Sequence, residues 1–130
     1  MGPVNWIAVI LAANLAVALG IVWHGPLFRT GRPLLEGPGG AARNYLTVVL
    51  VMLIGAVMLG HNFARLGAET LAAKPWLYWM QSGGIAIAFV IPALWLTLAR
   101  QGGPVRARLI DAGYWLAAYL TMGTVFWALR

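Results

Sequence analysis

Four stretches of this chain are almost free of charge, and each is close to the length a helix needs to cross a bilayer: Val4 to Trp23, Tyr45 to Phe63, Trp76 to Leu98 and Ala112 to Leu129. A helix rises about 1.5 Å per residue, so roughly 20 residues cross the ~30 Å hydrocarbon core. Backbone polar groups in lipid must be satisfied internally, which makes such stretches helical. The reading is an all-α integral membrane bundle of four transmembrane helices, with residues 1–130 forming a single domain. Each stretch is bounded by residues that hydrocarbon rejects: Pro26, Arg29 and Arg32 after the first, Arg43 and Arg65 around the second, Lys74 and Arg100 around the third, Asp111 and Arg130 around the fourth. Aromatic residues collect near these ends, among them Trp6, Trp23, Tyr45, Trp76, Trp79, Trp95, Tyr114 and Trp127, as amphipathic rings at membrane interfaces do.

Composition closes off the soluble alternative. The chain is 62% hydrophobic and 9% charged, against about 45–50% and about 25% in a typical soluble domain. A domain this small would have to leave much apolar surface in water. The net charge of +6 is spread as single and paired basic residues between apolar runs, with no patch suited to nucleic acid. There are no cysteines, which removes disulfides, iron–sulfur clusters and thiol catalysis. The first stretch is read as a retained helix: Met1 to Asn5 carries no basic side chain, and the apolar run exceeds the roughly 7–15 residues of a secretory signal core.

If the helices alternate, loops 1 and 3 share one side and carry six basic residues (Arg29, Arg32, Arg43, Arg100, Arg106, Arg108), while the other side carries three (Arg65, Lys74, Arg130). The excess places loops 1 and 3 in the cytoplasm and both termini on the non-cytoplasmic side. Loop 1, His24 to Asn44, is rich in Gly and Pro and reads as turns. A short helical turn is expected in loop 2 before Pro75.

Lipid gives helices little hydrophobic reason to associate, so small residues and interhelical hydrogen bonds must do it. Helix 1 carries Ala8, Ala12, Ala16 and Gly20 at spacing four, within about 120° of arc. Gly113, Ala117 and Thr121 on helix 4, and Gly84 and Ala88 on helix 3, are the other expected packing faces. Asn14 lies roughly opposite the helix 1 ladder, among Ile7, Ile10, Leu11, Val17 and Ile21. An amide in lipid is costly. Either a partner meets it there, or Tyr119 or Gln81 satisfies it inside the bundle.

Chemistry-bearing residues are sparse. No ionisable group lies at a span centre, so nothing marks a proton or cation pathway. His24 follows helix 1 and His61 follows helix 2, which puts the two imidazoles on opposite sides, on the order of 30 Å apart, so one chain cannot chelate a haem or metal with both. No assembled nucleophilic triad, metal-binding spacing or phosphate-cradling glycine motif is present, and an enzyme working at the loop 1 corner would need His24 and Glu36 to converge. The expectation is a chain that is not an enzyme and holds no cofactor or metal.

Asn5-Trp6, the run Gly20-Ile-Val-Trp23-His24-Gly25-Pro26-Leu27-Phe28, and Leu109-Ile110-Asp111-Ala112-Gly113-Tyr114 together carry a resemblance. The chain resembles the bacterial membrane family designated domain of unknown function number 1761, which implies a small four-helix membrane fold over nearly the whole chain and assigns no activity. His24 stands where Tyr is common in that motif. Physically, the motif suits a helix end at the headgroups: Pro26 ends the helix, Trp23 and Phe28 anchor it, and Arg29 reaches anionic lipid. The corner formed by Trp23, His24, Pro26, Phe28 and Arg29 equally suits docking.

Two functional classes fit this pattern. The first is a non-catalytic subunit of the bacterial inner membrane, packed by its helix faces against other integral subunits of a larger complex such as a respiratory or photosynthetic one. The second is a small homodimeric transporter or channel, though four-helix multidrug exporters of this length use an acidic residue in helix 1, where Asn14 is neutral.

Overall fold

The computed structural model describes residues 2–130. Helices account for all the regular structure among them: α1 (Trp6–Val22), α2 (Ala41–Leu66), α3 (Ala68–Ala73), α4 (Leu77–Ile85), α5 (Ile91–Arg100) and α6 (Val105–Ala128). Wide π turns at Trp23–Leu27 and Ala86–Val90 extend α1 and join α4 to α5 in one rod. Three continuous helical segments, Trp6–Leu27, Ala41–Leu66 and Leu77–Arg100, are long and apolar enough to cross a membrane.

The helix ends follow local chemistry. Asn5 has an extended backbone, and its side-chain oxygen accepts from the Ala8 N–H at 3.0 Å, which caps α1. Its amide also donates to the Leu129 carbonyl at 2.8 Å, tying the two chain ends together. Asn5→Ala removes both contacts and is expected to lower unfolding stability by about 1 kcal/mol, read by denaturant titration in detergent. Gly67, at φ +83°, turns α2 into the short α3 before Pro75. In the α4–α5 rod, Pro92 offers no N–H to Ala88 and its ring crowds that carbonyl, and the helix widens into the π turn just ahead of it.

The helix boundaries correct the sequence reading at two places. The fourth segment begins at Val105 and not at Ala112, so Asp111 stands inside α6. On α4 and the adjoining π turn, Gly84 and Ala88 are exposed, whereas Ser82, Gly83 and Ala86 are buried. The face turned toward α6 is therefore displaced from the expected Gly84–Ala88 pair; either small-residue series could serve, and only the partner's position decides between them.

The core is built around α6, which packs against α1, α2 and the α4–α5 rod. Tyr114, Ala118, Met122 and Phe126 of α6 are buried against Ala8, Ala12, Ala16 and Val17 of α1, Met52, Ala56, Leu59 and Phe63 of α2, and Tyr78 of α4. Phe63 joins Tyr78 and Phe126 with ring centroids 4.7 and 5.1 Å apart. This central role explains why α6, although 24 residues long, is not among the three most apolar segments. Its Thr124 finds protein partners: the Trp79 indole donates to Thr124 Oγ1, and Thr124 donates to the Leu120 carbonyl.

The helices run up and down. Gly2 N–H donates to the Ala64 carbonyl at 3.0 Å, so the start of α1, the end of α2 and the end of α6 share one end of the bundle. Loop 1 and the α5–α6 corner share the other end, where they enclose a cleft.

Candidate functional site

A cluster of polar contacts forms where α1 ends. Gly20 lies so close to Leu34 and to the Tyr114 ring that a Cβ there would collide with both, the Tyr114 hydroxyl standing 2.6 Å from where it would sit. That approach lets Tyr114 donate to the Ala16 carbonyl at 2.9 Å. Beyond Gly20 the chain widens into the π turn. Pro26 withholds an N–H, and Gly25 takes φ −89°, ψ −105°, outside the helical region. The kink carries His24 inward, 7% exposed, edge-on to the Tyr114 ring at 5.0 Å.

His24 is held from both sides. Its Nδ1 faces the Gly20 carbonyl oxygen at 3.1 Å and its Nε2 faces Asp111 Oδ1 at 2.9 Å. A carbonyl can only accept, and an ionised carboxylate can only accept. With Asp111 ionised, both ring nitrogens must carry protons, so the contact is a charge-assisted ion pair of zero net charge. Beside it the Trp23 indole donates to the Ile110 carbonyl at 3.0 Å, its ring resting on Phe28 and against Gly113. Thr30 Oγ1 donates to the His24 carbonyl at 3.1 Å and brings loop 1 over the turn, and Arg29 there has a positive φ of 44°. Further along loop 1, the Asn44 amide donates to the Leu35 and Gly37 carbonyls, both at 3.1 Å.

The pair forms part of the wall of a cleft of about 730 Å³ between loop 1 and the α5–α6 corner. Arg32, Arg106 and Arg108 also line it, together with Thr30 and Gln101. Arg108 Nε donates to the Gly103 carbonyl at 2.9 Å, and its guanidinium lies over the Trp95 ring. Among the described residues His24–Asp111 is the one ion pair, and three arginines line the cleft beside the single carboxylate of Asp111. Such a surface attracts anions and phosphate groups. The Thr30 hydroxyl lies against the His24 and Arg32 carbonyls. The constellation acts as a clasp between the end of α1 and the start of α6.

The corner holds contacts that the sequence reading did not give it. Trp23, read as an interfacial anchor, also bridges the end of α1 to α6 through its indole N–H. Pro26 lies within a widened turn that continues to Leu27. The carboxylate that reaches His24 is Asp111 rather than Glu36. His61 stands at the other end of the bundle, its Nδ1 against the Val57 carbonyl at 2.9 Å and its ring edge-on to Trp6. No group of His, Cys, Asp and Glu residues suited to a metal ion occurs among the described residues.

The expected packing residues divide. Ala8, Ala12, Ala16 and Gly20 are buried, while Gly113, Ala117 and Thr121 are half-buried on α6. Asn14 is exposed and bonds to neither Tyr119 nor Gln81: its amide donates to the Ile10 carbonyl of its own helix at 2.8 Å. Sequence reasoning missed the His24–Asp111 pair. The signal was available in the alternation of the helices, which puts the end of the first and the start of the fourth on one side.

Removing the Tyr114 hydroxyl tests the clasp. Tyr114→Phe leaves the ring in place and frees the Ala16 carbonyl, and is expected to cost about 1 kcal/mol of stability, measured by unfolding in mixed micelles.

These features define a class: a small all-α protein, with three helices long and apolar enough to cross a membrane, closed at one end by a partly buried histidine–aspartate clasp. The chain belongs to the family described as Protein of unknown function (DUF1761), whose model matches residues 7–127. No curated protein and no solved structure matches it.

Proposed function

We propose that this chain is a four-span protein of the bacterial inner membrane that works by contact, as a non-catalytic subunit packed against other integral membrane proteins. In this reading α6 is the fourth span, loops 1 and 3 lie in the cytoplasm, and both termini lie outside. The outward faces support lipid solvation: Ile7, Ile10, Leu15, Ile54, Ile87 and Phe89 are all among the exposed large apolar residues. The arginine-lined cleft then lies against anionic headgroups on the cytoplasmic side.

Asn14 is the observation that carries the contact reading. It sits halfway along α1 on the outer face, and its one hydrogen bond uses only the amide N–H, donated to Ile10. Its carbonyl oxygen accepts from nothing among the described residues. An amide carbonyl left bare in hydrocarbon is costly, and a donor from a neighbouring transmembrane segment relieves that cost.

The test is extraction of the native protein in a gentle detergent followed by native mass measurement. Recovery with other membrane subunits at fixed stoichiometry is expected. Recovery of the chain as a lone monomer would contradict the proposal.

A further inference from the structure

A second unsatisfied group lies on the opposite flank of the bundle. Between α2 and the α4–α5 rod runs an apolar groove of about 590 Å³, lined by Val51, Ile54 and Met58 on one side and Ile85, Phe89 and Val90 on the other. Tyr119 of α6 forms part of its lining and is 9% exposed. Its hydroxyl lies against Gly55, 3.0 Å from where a Cβ would stand, and makes no hydrogen bond among the described residues. Among these residues no fully buried side-chain polar atom lacks a partner, so the hydroxyl opens onto the apolar trough with its donor free.

Depth matches this donor to the free acceptor of Asn14. The Asn5–Leu129 hydrogen bond puts the start of α1 level with the end of α6. Asn14 is nine residues on from Asn5 and Tyr119 is ten back from Leu129. At 1.5 Å per residue both lie about 14 to 15 Å from that end of the bundle. Two copies inserted in the same orientation therefore present the Asn14 carbonyl and the Tyr119 hydroxyl at one level.

We infer that the groove receives α1 of a second copy of this chain, with Tyr119 of one copy donating to Asn14 of the next. This rests on the contact reading above and names one partner within it. Ile10 and Leu11, exposed on the same flank of α1, supply apolar bulk for the trough. The two surfaces are different patches of one molecule, so the association is head-to-tail and closes as a ring or continues as a row.

Because the chain has no cysteine, the contact can be trapped directly. One full-length copy carrying Ile10→Cys is mixed with a differently tagged copy carrying Met58→Cys in phosphatidylcholine vesicles, and oxidised. A covalent heterodimer is expected, whereas Ile10→Cys with Leu46→Cys, near the far end of α2, gives none. Tyr119→Phe, which removes one hydroxyl and no bulk, is expected to weaken self-association about 3- to 20-fold, as is Asn14→Leu. The double variant is no weaker than either single one. Monomers in the bilayer, or association indifferent to Tyr119→Phe, overturn the inference. If unlike subunits are recovered with a single copy of this chain, the head-to-tail contact fails while the contact reading stands; no membrane partner of any kind defeats both.

Discussion

Gly123→Leu is expected to separate α4 from α6 and leave little folded protein. Gly123 faces Tyr78 and Ser82 across a close contact between α6 and α4. A Cβ there would collide with the Ser82 hydroxyl and stand 2.8 Å from the Tyr78 carbonyl oxygen. The Tyr78 carbonyl is backbone, and Ser82 is pinned by donating to it at 2.8 Å, so neither can yield without moving the helix. Overpacking a core costs about 1–3 kcal/mol when side chains can adjust. Here the obstacle is a helix, and the loss is expected to be about 3 kcal/mol or more. Gly84→Ala is the contrast: nothing lies within 4 Å of its Cβ position, and helix propensity favours alanine by about 0.5–1 kcal/mol. Unfolding curves in mixed micelles separate the two. Equal sensitivity at both glycines would show that the buried face of α4 has been assigned to the wrong side.

Asp111→Leu is expected to open the clasp. His24 would keep the Gly20 carbonyl on one nitrogen and lose its acceptor on the other, in a site where the imidazole is 7% exposed. Breaking a fully buried ion pair costs about 3–5 kcal/mol. Asp111 keeps about a third of its side chain in contact with solvent, so the expected loss is smaller, about 1–3 kcal/mol. The double variant His24→Leu, Asp111→Leu removes both partners and is expected to be milder than Asp111→Leu alone. A double-mutant cycle of unfolding free energies reads this coupling. Strict additivity would mean that the two side chains do not interact.

The three most apolar helices were legible because length and apolarity suffice for them. The buried face of α1 was legible for a less usual reason. Both faces of that helix are apolar, so polarity cannot distinguish them, yet size does: Ala8, Ala12, Ala16 and Gly20 point inward, while Ile7, Ile10, Leu11 and Leu15 point outward. The same rule failed on α4, where Gly83 and Gly84 are adjacent and the π turn at Ala86–Val90 shifts the register of α5. No pattern within a single helix tells which of two neighbouring glycines meets a partner.

The His24–Asp111 pair escaped because its members are 87 positions apart and Asp111 looked like a boundary residue of a helix read as starting later than it does. The interior start of α6 at Val105 was hidden by Arg106 and Arg108, which read as loop. Composition placed Trp23 at a helix end but could not show that its N–H donates to the Ile110 carbonyl of a neighbouring helix. Polar tips are satisfied by whichever acceptor the fold brings closest.

Thiol accessibility in intact membranes tests most directly the claim that four segments cross a bilayer and expose their apolar flanks to lipid. Single cysteines are placed by Glu36→Cys in loop 1, Gln101→Cys in loop 3, Thr70→Cys in α3 and Ile54→Cys on the outer face of α2. A membrane-impermeant maleimide is then applied from each side. The account predicts labelling of positions 36 and 101 from the cytoplasmic side only, of position 70 from the opposite side only, and of position 54 from neither. Rapid labelling of position 54, or positions 36 and 70 reacting from the same side, would contradict it.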